Sequence, residues 1–167
     1  IIAFVNSLTA RMTRSNSVTG EEDGSSNLKK EMHEYFSQYL IDIVKYLKEE
    51  KNLKVKWLSP INEPQWDWNY EKGQEGCHYK AAEINELLKV LLPKLKDENL
   101  NIGVSVVDAG EWKTADRYME KLFSDQYLNN EIGHFAVHSY WSDEKDKEFA
   151  ANYFHRNYPE KSLWMSE

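Results

Sequence analysis

The sequence predicts an α/β fold built from parallel βαβ units, because short apolar runs alternate along the chain with amphipathic helical stretches. Two architectures contain such units, an open doubly wound sheet and an arc of a (β/α)8 barrel. The chain has 167 residues, which suits one domain but falls short of the roughly 250 residues of a complete barrel. A barrel of this length would therefore be an incomplete arc that lacks about three strands.

Five apolar runs predict strands, over residues 1–7, 55–59, 102–107, 132–140 and 162–166. Between them, apolar residues recur at helical spacing and predict four helices. The first helix is expected to begin at Leu28, with Ser26 or Asn27 as its N-cap, and to end near 51–52. The others are expected over about 81–95, 115–124 and 145–157. The polar loop at 8–27 is long for a connection, and loops of that kind tend to be functional.

The composition excludes several classes of function. The net charge is −7, from 21 basic and 28 acidic residues, and the lysines alternate with acids, so no nucleic-acid partner is expected. No apolar run reaches the roughly 18 residues of a membrane-spanning helix, so no membrane partner is expected. The single cysteine, Cys77, excludes an internal disulfide and a zinc cage of thiolates. No glycine-rich phosphate loop follows a predicted strand, which disfavours a nucleotide-binding sheet.

Polar and aromatic side chains gather at the carboxyl end of every predicted strand. They include Asn6, Ser7, Asn62, Glu63, Asp108, Glu111, His138, Tyr140, Trp141, Ser166 and Glu167. In parallel α/β folds the carboxyl ends of the strands lie on one face, where ligands and substrates bind. The pattern therefore predicts a single functional site on that face.

Two of these residues have the chemistry of a glycosidase pair. Glu63 stands between Asn62 and Pro64, and Glu167 directly follows the apolar run 163–165. Glycoside hydrolysis needs one carboxylic acid to protonate the leaving oxygen and one carboxylate to attack or to activate water. Taken alone, each residue also fits a solvated loop acid.

Other candidate groups favour simpler interpretations. Cys77 as a nucleophile, or with His78 as a metal ligand, has too few partners in the sequence. His134 and His138 lie on one strand about 13 Å apart, too far to share a metal ion. Two further acids, Glu75 and Glu111, are expected to be solvated loop acids or ligands of a sugar hydroxyl.

Residues 59–68 (SPINEPQWDW), followed by 74–79 (QEGCHY), resemble glycoside hydrolase family 30, and are most similar to its endo-β-1,6-galactanase-like branch. Supporting segments are 4–7 with 12–13, 138–141 and 164–167. The resemblance covers the whole chain as the third to seventh strands of the family's barrel. It implies that residues 1–167 are part of a single catalytic (β/α)8 domain, here an arc of about five strands and four helices.

The resemblance also implies a retaining mechanism. Glu63 corresponds to the acid/base and Glu167 to the nucleophile, at a carboxylate separation of about 5–5.5 Å, with no metal or cofactor. Sugar contacts are expected from Asn6, Asn62, Trp66, Trp68, His138, Tyr140 and Trp141. Within that set, the Tyr140 hydroxyl is expected to donate to Glu167, His138 to orient either acid, and the tryptophans to stack on sugar rings.

The expected partner is a polysaccharide or oligosaccharide: β-1,6-galactan first, then β-1,6-glucan or xylan. Arg11 stands where the family usually has a tryptophan, which would suit an anionic sugar. The chain begins at Ile1 rather than Met and is expected to belong to a longer protein, which would be secreted or held at the cell surface. An open arc would expose two strand edges, so self-association is possible. The alternative function is a catalytically silent, carbohydrate-binding fragment.

Overall fold

The structure, a computed structural model, describes residues 1–69, 71 and 73–167. Within these residues six strands pair in parallel. They are β1 (Ile2–Phe4), β2 (Trp57–Ser59), β3 (Gly103–Val104), β4 (Val106–Ala109), β5 (His134–Val137) and β6 (Ser162–Met165). Each lies inside or overlaps one of the predicted apolar runs.

The strands form two sheets, in the orders β1-β2-β3 and β4-β5-β6. Ser105 alone separates β3 from β4, so the single strand predicted over 102–107 is divided between the sheets. The Ser105 amide still donates to the Leu58 carbonyl at 2.8 Å. The strand order therefore follows the chain order along one arc. A doubly wound sheet would reverse its order at a switch point, so the fold is an incomplete arc of a (β/α)8 barrel.

Five α-helices connect the strands in the described part of the chain. They are α1 (His33–Glu49), α2 (Ala81–Asp97), α3 (Ala115–Phe123), α4 (Gln126–Glu131) and α5 (Glu144–Asn157). Four were predicted, and α4 is additional. The Asp125 side chain caps it by accepting hydrogen bonds from the amides of Tyr127 and Leu128.

The predicted start of the first helix is wrong. Leu28 pairs with Thr13 in an isolated bridge, and α1 begins at His33 after a short 3-10 turn. Neither predicted cap acts as one. The Ser26 hydroxyl donates to Glu83, and the fully buried Asn27 amide donates to the Thr19 carbonyl at 2.8 Å. These side chains stabilise the 8–27 loop instead.

Helices cover one face of the strands, and aromatic rings lie on the other. Phe135 packs against Phe123 of α3, so its neighbour His134 points to the opposite face of β5. There the His134 ring stacks on Trp164, with the ring centroids 3.9 Å apart. It also packs edge-on against Trp57, with the ring centroids 4.3 Å apart. These rings contact one another on the inner side of the arc and join β2, β5 and β6.

Among the described residues, no helix has the length and apolar character needed to cross a membrane.

Candidate active site

A cavity of about 680 Å³ opens at the carboxyl ends of the strands. It is lined by Phe4, Asn6, Asn62, Glu63, Trp66, Trp68, Gln74, Glu111, Lys113, Tyr140, Trp141 and Glu167. Eight of the nine predicted site residues are in this set. The ninth, His138, is buried behind the cavity wall and contacts both predicted catalytic acids.

The position of Glu63 depends on its backbone conformation and on one backbone hydrogen bond. Its amide donates to the Asp108 carbonyl at 2.9 Å, and its φ of +42° lies in the left-handed region that residues other than glycine rarely adopt. The carboxylate packs over Gly110, where an added Cβ would lie 2.7 Å from Glu63 Oε1. The site therefore requires glycine at position 110 for Glu63 to keep its place.

Glu167 is more open, since 44% of its side chain is exposed. The Tyr140 hydroxyl donates to Glu167 Oε2 at 3.0 Å, as the sequence predicted. The same hydrogen bond and the carboxylate's charge raise the pKa of Tyr140. Tyr140 therefore stays protonated as a donor at neutral pH.

His138 lies between the two acids. Its Nδ1 is 3.0 Å from Glu63 Oε1 and 3.7 Å from Glu167 Oε2. Because both distances share the Nδ1 atom, Glu63 Oε1 and Glu167 Oε2 are at most about 6.7 Å apart. Burial alone would lower the pKa of His138, but the carboxylates of Asp108, Glu63 and Glu167 outweigh it and raise the pKa to about 9. At neutral pH the ring is therefore a cation that donates to Glu63.

A chain of amides lies beside the acids. Asn62 Nδ2 donates to Asn6 Oδ1 at 3.2 Å, and Asn6 Nδ2 donates to Glu75 Oε1 at 2.9 Å. Asn62 Oδ1 is buried and has no hydrogen-bond partner among the described residues. It is available to accept a hydrogen bond from a ligand hydroxyl. Glu75, expected to be a solvated acid or a sugar ligand, orients Asn6.

The three predicted tryptophans differ in exposure. Trp141 is 71% exposed, and Trp66 meets its edge with the ring centroids 5.5 Å apart. Trp68 is only 5% exposed, donates from Nε1 to the Glu63 carbonyl at 2.9 Å, and lies against Gly76. Trp66 and Trp141 therefore offer ring surfaces to the cavity, whereas Trp68 supports the backbone of the Glu63 loop.

Asp108, at the end of β4, was expected on the functional face but without a role of its own. Its side chain is buried, and Nε2 of His138 is 3.8 Å from Asp108 Oδ1. The signal that could have given it a role is the one that identified Glu167, an acid at the end of an apolar run.

Glu111 was expected to be solvated or to bind a hydroxyl, but it is only 3% exposed. Lys113 Nζ lies 2.9 Å from its carboxylate, and this ion pair forms part of the cavity wall. The Arg11 guanidinium instead lies over the Tyr35 ring at 4.9 Å, and Arg11 is not among the described cavity-lining residues. The cation at the cavity wall is therefore Lys113.

Cys77 does not have the character of a nucleophile. It is 3% exposed, and burial raises the pKa of its thiol to about 12. The thiolate form is therefore rare at neutral pH.

The chain is similar in sequence to one curated protein and in fold to several solved structures. The chain is 25% identical over 138 residues to the Caenorhabditis elegans protein named "Putative glucosylceramidase 2", covering 80% of this chain and 26% of that protein. A conserved exported protein from Bacteroides fragilis superposes with a TM-score of 0.82 at 20% identity, covering 99% of this chain and 38% of that one. A glycoside hydrolase family 30 subfamily 8 xylanase from Clostridium acetobutylicum gives a TM-score of 0.74 at 21% identity, covering 98% and 38%.

The chain thus spans about a quarter of the length of its curated relative. The family model described as O-Glycosyl hydrolase family 30 matches residues 1–147, which is most of the chain. With the barrel arc and the paired glutamates at its carboxyl face, this match shows that the chain belongs to O-glycosyl hydrolase family 30.

Proposed function

We propose that this protein is a retaining glycosidase that cleaves β-linked glycans, with Glu63 as acid/base and Glu167 as nucleophile. One observation carries the proposal: both carboxylates contact His138 Nδ1, at 3.0 and 3.7 Å. The resulting upper limit of about 6.7 Å between their oxygens suits the separation of about 5–5.5 Å in retaining enzymes. Inverting enzymes need about 6.5–9.5 Å to admit a water molecule.

The hydrogen bonds support a separate role for each carboxylate oxygen in the first step. Tyr140 holds Glu167 Oε2, which leaves Oε1 to attack the anomeric carbon. His138 holds Glu63 Oε1, so the catalytic proton resides on Oε2. As the bond from the anomeric carbon to Glu167 forms, the glycosidic bond breaks and the Glu63 proton passes to the leaving oxygen.

The second step releases the sugar. Glu63, now ionised, takes a proton from water, and the resulting hydroxide attacks the anomeric carbon. The bond to Glu167 breaks, and the nucleophile returns as a carboxylate. Asn62 Oδ1, which is buried without a partner among the described residues, accepts a hydrogen bond from a sugar hydroxyl in both steps. The exposed ring of Trp141 offers a flat surface for a further sugar unit.

The preferred substrate is β-1,6-galactan, followed by β-1,6-glucan and xylan, on the basis of the motif at 59–68. The structural relative from Bacteroides fragilis is described as exported, which supports a secreted location for this protein.

The test measures release of reducing ends from these three polysaccharides by the complete polypeptide, with Glu63→Gln and Glu167→Gln alongside. Circular dichroism verifies that each variant is folded. Glu86→Gln is the matched control, because it removes a partly exposed carboxylate on α2 that pairs with Lys30. Both site variants should lose activity, and the control should keep it.

Proton NMR of the first product distinguishes the mechanism. A β-anomer formed before mutarotation supports retention, and an α-anomer overturns it. If the folded protein binds the polysaccharides without hydrolysing any of them, and Glu63→Gln binds equally well, the protein is a carbohydrate-binding module.

A further inference from the structure

One buried carboxylate connects the strand ends that carry both glutamates. Ser166 Oγ donates to Asp108 Oδ1 at 2.6 Å, and Ser59 Oγ donates to Asp108 Oδ2. Ser166 directly precedes Glu167, and Ser59 ends the strand that leads to Glu63. Asp108 thereby ties β2 and β6 to β4, which lies between them in the arc.

The backbone of Asp108 makes a second connection. Its carbonyl accepts the hydrogen bond from the Glu63 amide at 2.9 Å. Its own φ is +50°, a left-handed conformation that aspartate tolerates better than most residues. Side chain and main chain of one residue therefore act on the two catalytic segments at once.

The third connection is to His138. Asp108 Oδ1 lies 3.8 Å from His138 Nε2, beyond a direct hydrogen bond but close enough for charge attraction. The opposite ring nitrogen, Nδ1, faces Glu63 and Glu167. Asp108 thus balances the imidazolium charge from the side away from the cavity.

The burial of Asp108 costs free energy, because a carboxylate loses its hydration when it is buried. Asp108 is 3% exposed and is not among the described residues that line the cavity. A buried carboxylate stabilises a fold less well than a well-packed apolar side chain, even when it is paired.

We propose that Asp108 is a positioning residue, which orients His138 and the two catalytic segments so that Glu63 and Glu167 are held at their working separation. The inference rests on the proposed roles of the two glutamates. It assigns Asp108 no contact with substrate. Its effect is transmitted through His138 and through the serine hydroxyls.

The test is Asp108→Asn in the complete polypeptide. Asparagine keeps the size of the side chain and can still hydrogen-bond the serines, but it lacks the charge. We expect kcat to fall about tenfold to a hundredfold with KM changed by less than about threefold, because misplaced groups affect the transition state most. The alkaline limb of the kcat profile should move to lower pH, and NMR titration should show a lower pKa for His138.

The matched control is Asp125→Asn. Asp125 caps α4 and pairs with Lys89, so its loss should lower stability without moving kcat or the pH profile. If Asp108→Asn does not fold, Ser166→Ala removes one of the hydroxyls and should lower kcat with the same pattern.

Unchanged kcat, pH profile and His138 titration in a folded Asp108→Asn protein would overturn the inference. The glutamate variants separate this from failure of the proposed function. If Glu63→Gln and Glu167→Gln lose activity while Asp108→Asn keeps it, the catalytic roles stand and the role of Asp108 is wrong. If the glutamate variants keep activity, the proposed function itself is wrong.

Discussion

Tyr140 and Glu167 form a hydrogen bond of 3.0 Å across the carboxyl ends of two neighbouring strands. Tyr140 follows β5 by three residues, and Glu167 follows β6 by two. The bond depends on the parallel register of these strands, in which Val137 lies opposite Met165. The Tyr140 hydroxyl therefore holds the carboxylate of Glu167, which is half-exposed.

Tyr140→Phe should lower kcat by about tenfold to a hundredfold, because it frees Glu167 to adopt unproductive rotamers and removes a donor to its charge. KM should change little. Steady-state kinetics on the preferred polysaccharide measure both constants. Tyr127→Phe, on the outer helix α4, is the control and should leave them unchanged. Equal kinetics for both variants would show that the hydrogen bond is not used.

Stability should decrease on the alkaline side as His138 loses its proton. The fold raises the pKa of His138 from its ordinary 6.5 to about 9, so the stabilisation is full below pH 6.5 and is lost as the pH rises through 9. The loss should be about 3 kcal/mol. Urea unfolding at intervals from pH 6 to about 10 measures it. The free energy of unfolding of His138→Gln should vary less with pH over this range. The same pH dependence in variant and parent would contradict the raised pKa.

The stability of the protein at acidic pH should depend on His134. Burial lowers its pKa to about 4, so the folded state favours the neutral ring and loses stability as the pH falls from 6.5 towards 4. His134→Phe keeps an aromatic ring against Trp164 but cannot be protonated. The difference in unfolding free energy between variant and parent should therefore shift in the variant's favour as the pH falls. A difference that is constant with pH would refute this.

Gly110→Ala should impair catalysis without unfolding the protein. Its Cβ would lie 2.4 Å from Gln65 Nε2 and 2.7 Å from Glu63 Oε1, so these side chains must move. We expect kcat/KM to fall by about a hundredfold. Gly133→Ala is the matched control, because a Cβ there has no atom within 4 Å. Similar activity in both variants would show that Glu63 tolerates displacement.

Trp141 and Trp68 should respond differently to truncation. Trp141→Ala removes a ring that is 71% exposed and should raise KM several-fold with little change in stability. Trp68→Ala removes a ring that is 5% exposed and should lower the free energy of unfolding by about 3–5 kcal/mol. Kinetics and urea unfolding on both variants measure the contrast. A raised KM and unchanged stability for Trp68→Ala would assign it a stacking role.

The sequence predicted those features of the site that depend on chain order alone. The strand ends of a parallel arc share one face, so Glu63 and Glu167 could be paired without knowledge of any contact. Contacts between distant segments were less accessible. Ser59 and Ser166 both donate to Asp108 from other strands, and no local pattern in the sequence indicates these hydrogen bonds.

The start of the first helix was predicted wrongly, and the short helix α4 was not predicted. Asn27 is a good N-cap by residue type, but its buried amide is used by the 8–27 loop. The six residues of α4 are too few to show a helical period. Competition from a distant partner therefore explains the wrong start of the first helix, and shortness alone explains why α4 was not predicted.

Left-handed backbone recurs at the site, with φ values of +42° at Glu63, +50° at Asp108 and +46° at Trp141. Each such residue carries a conformational cost of roughly 1–2 kcal/mol that the surrounding contacts must offset. Gentle warming should release these loops before the helices melt. Thermal inactivation would then precede the loss of the circular dichroism signal, and a bound glycan would bring the two transitions together.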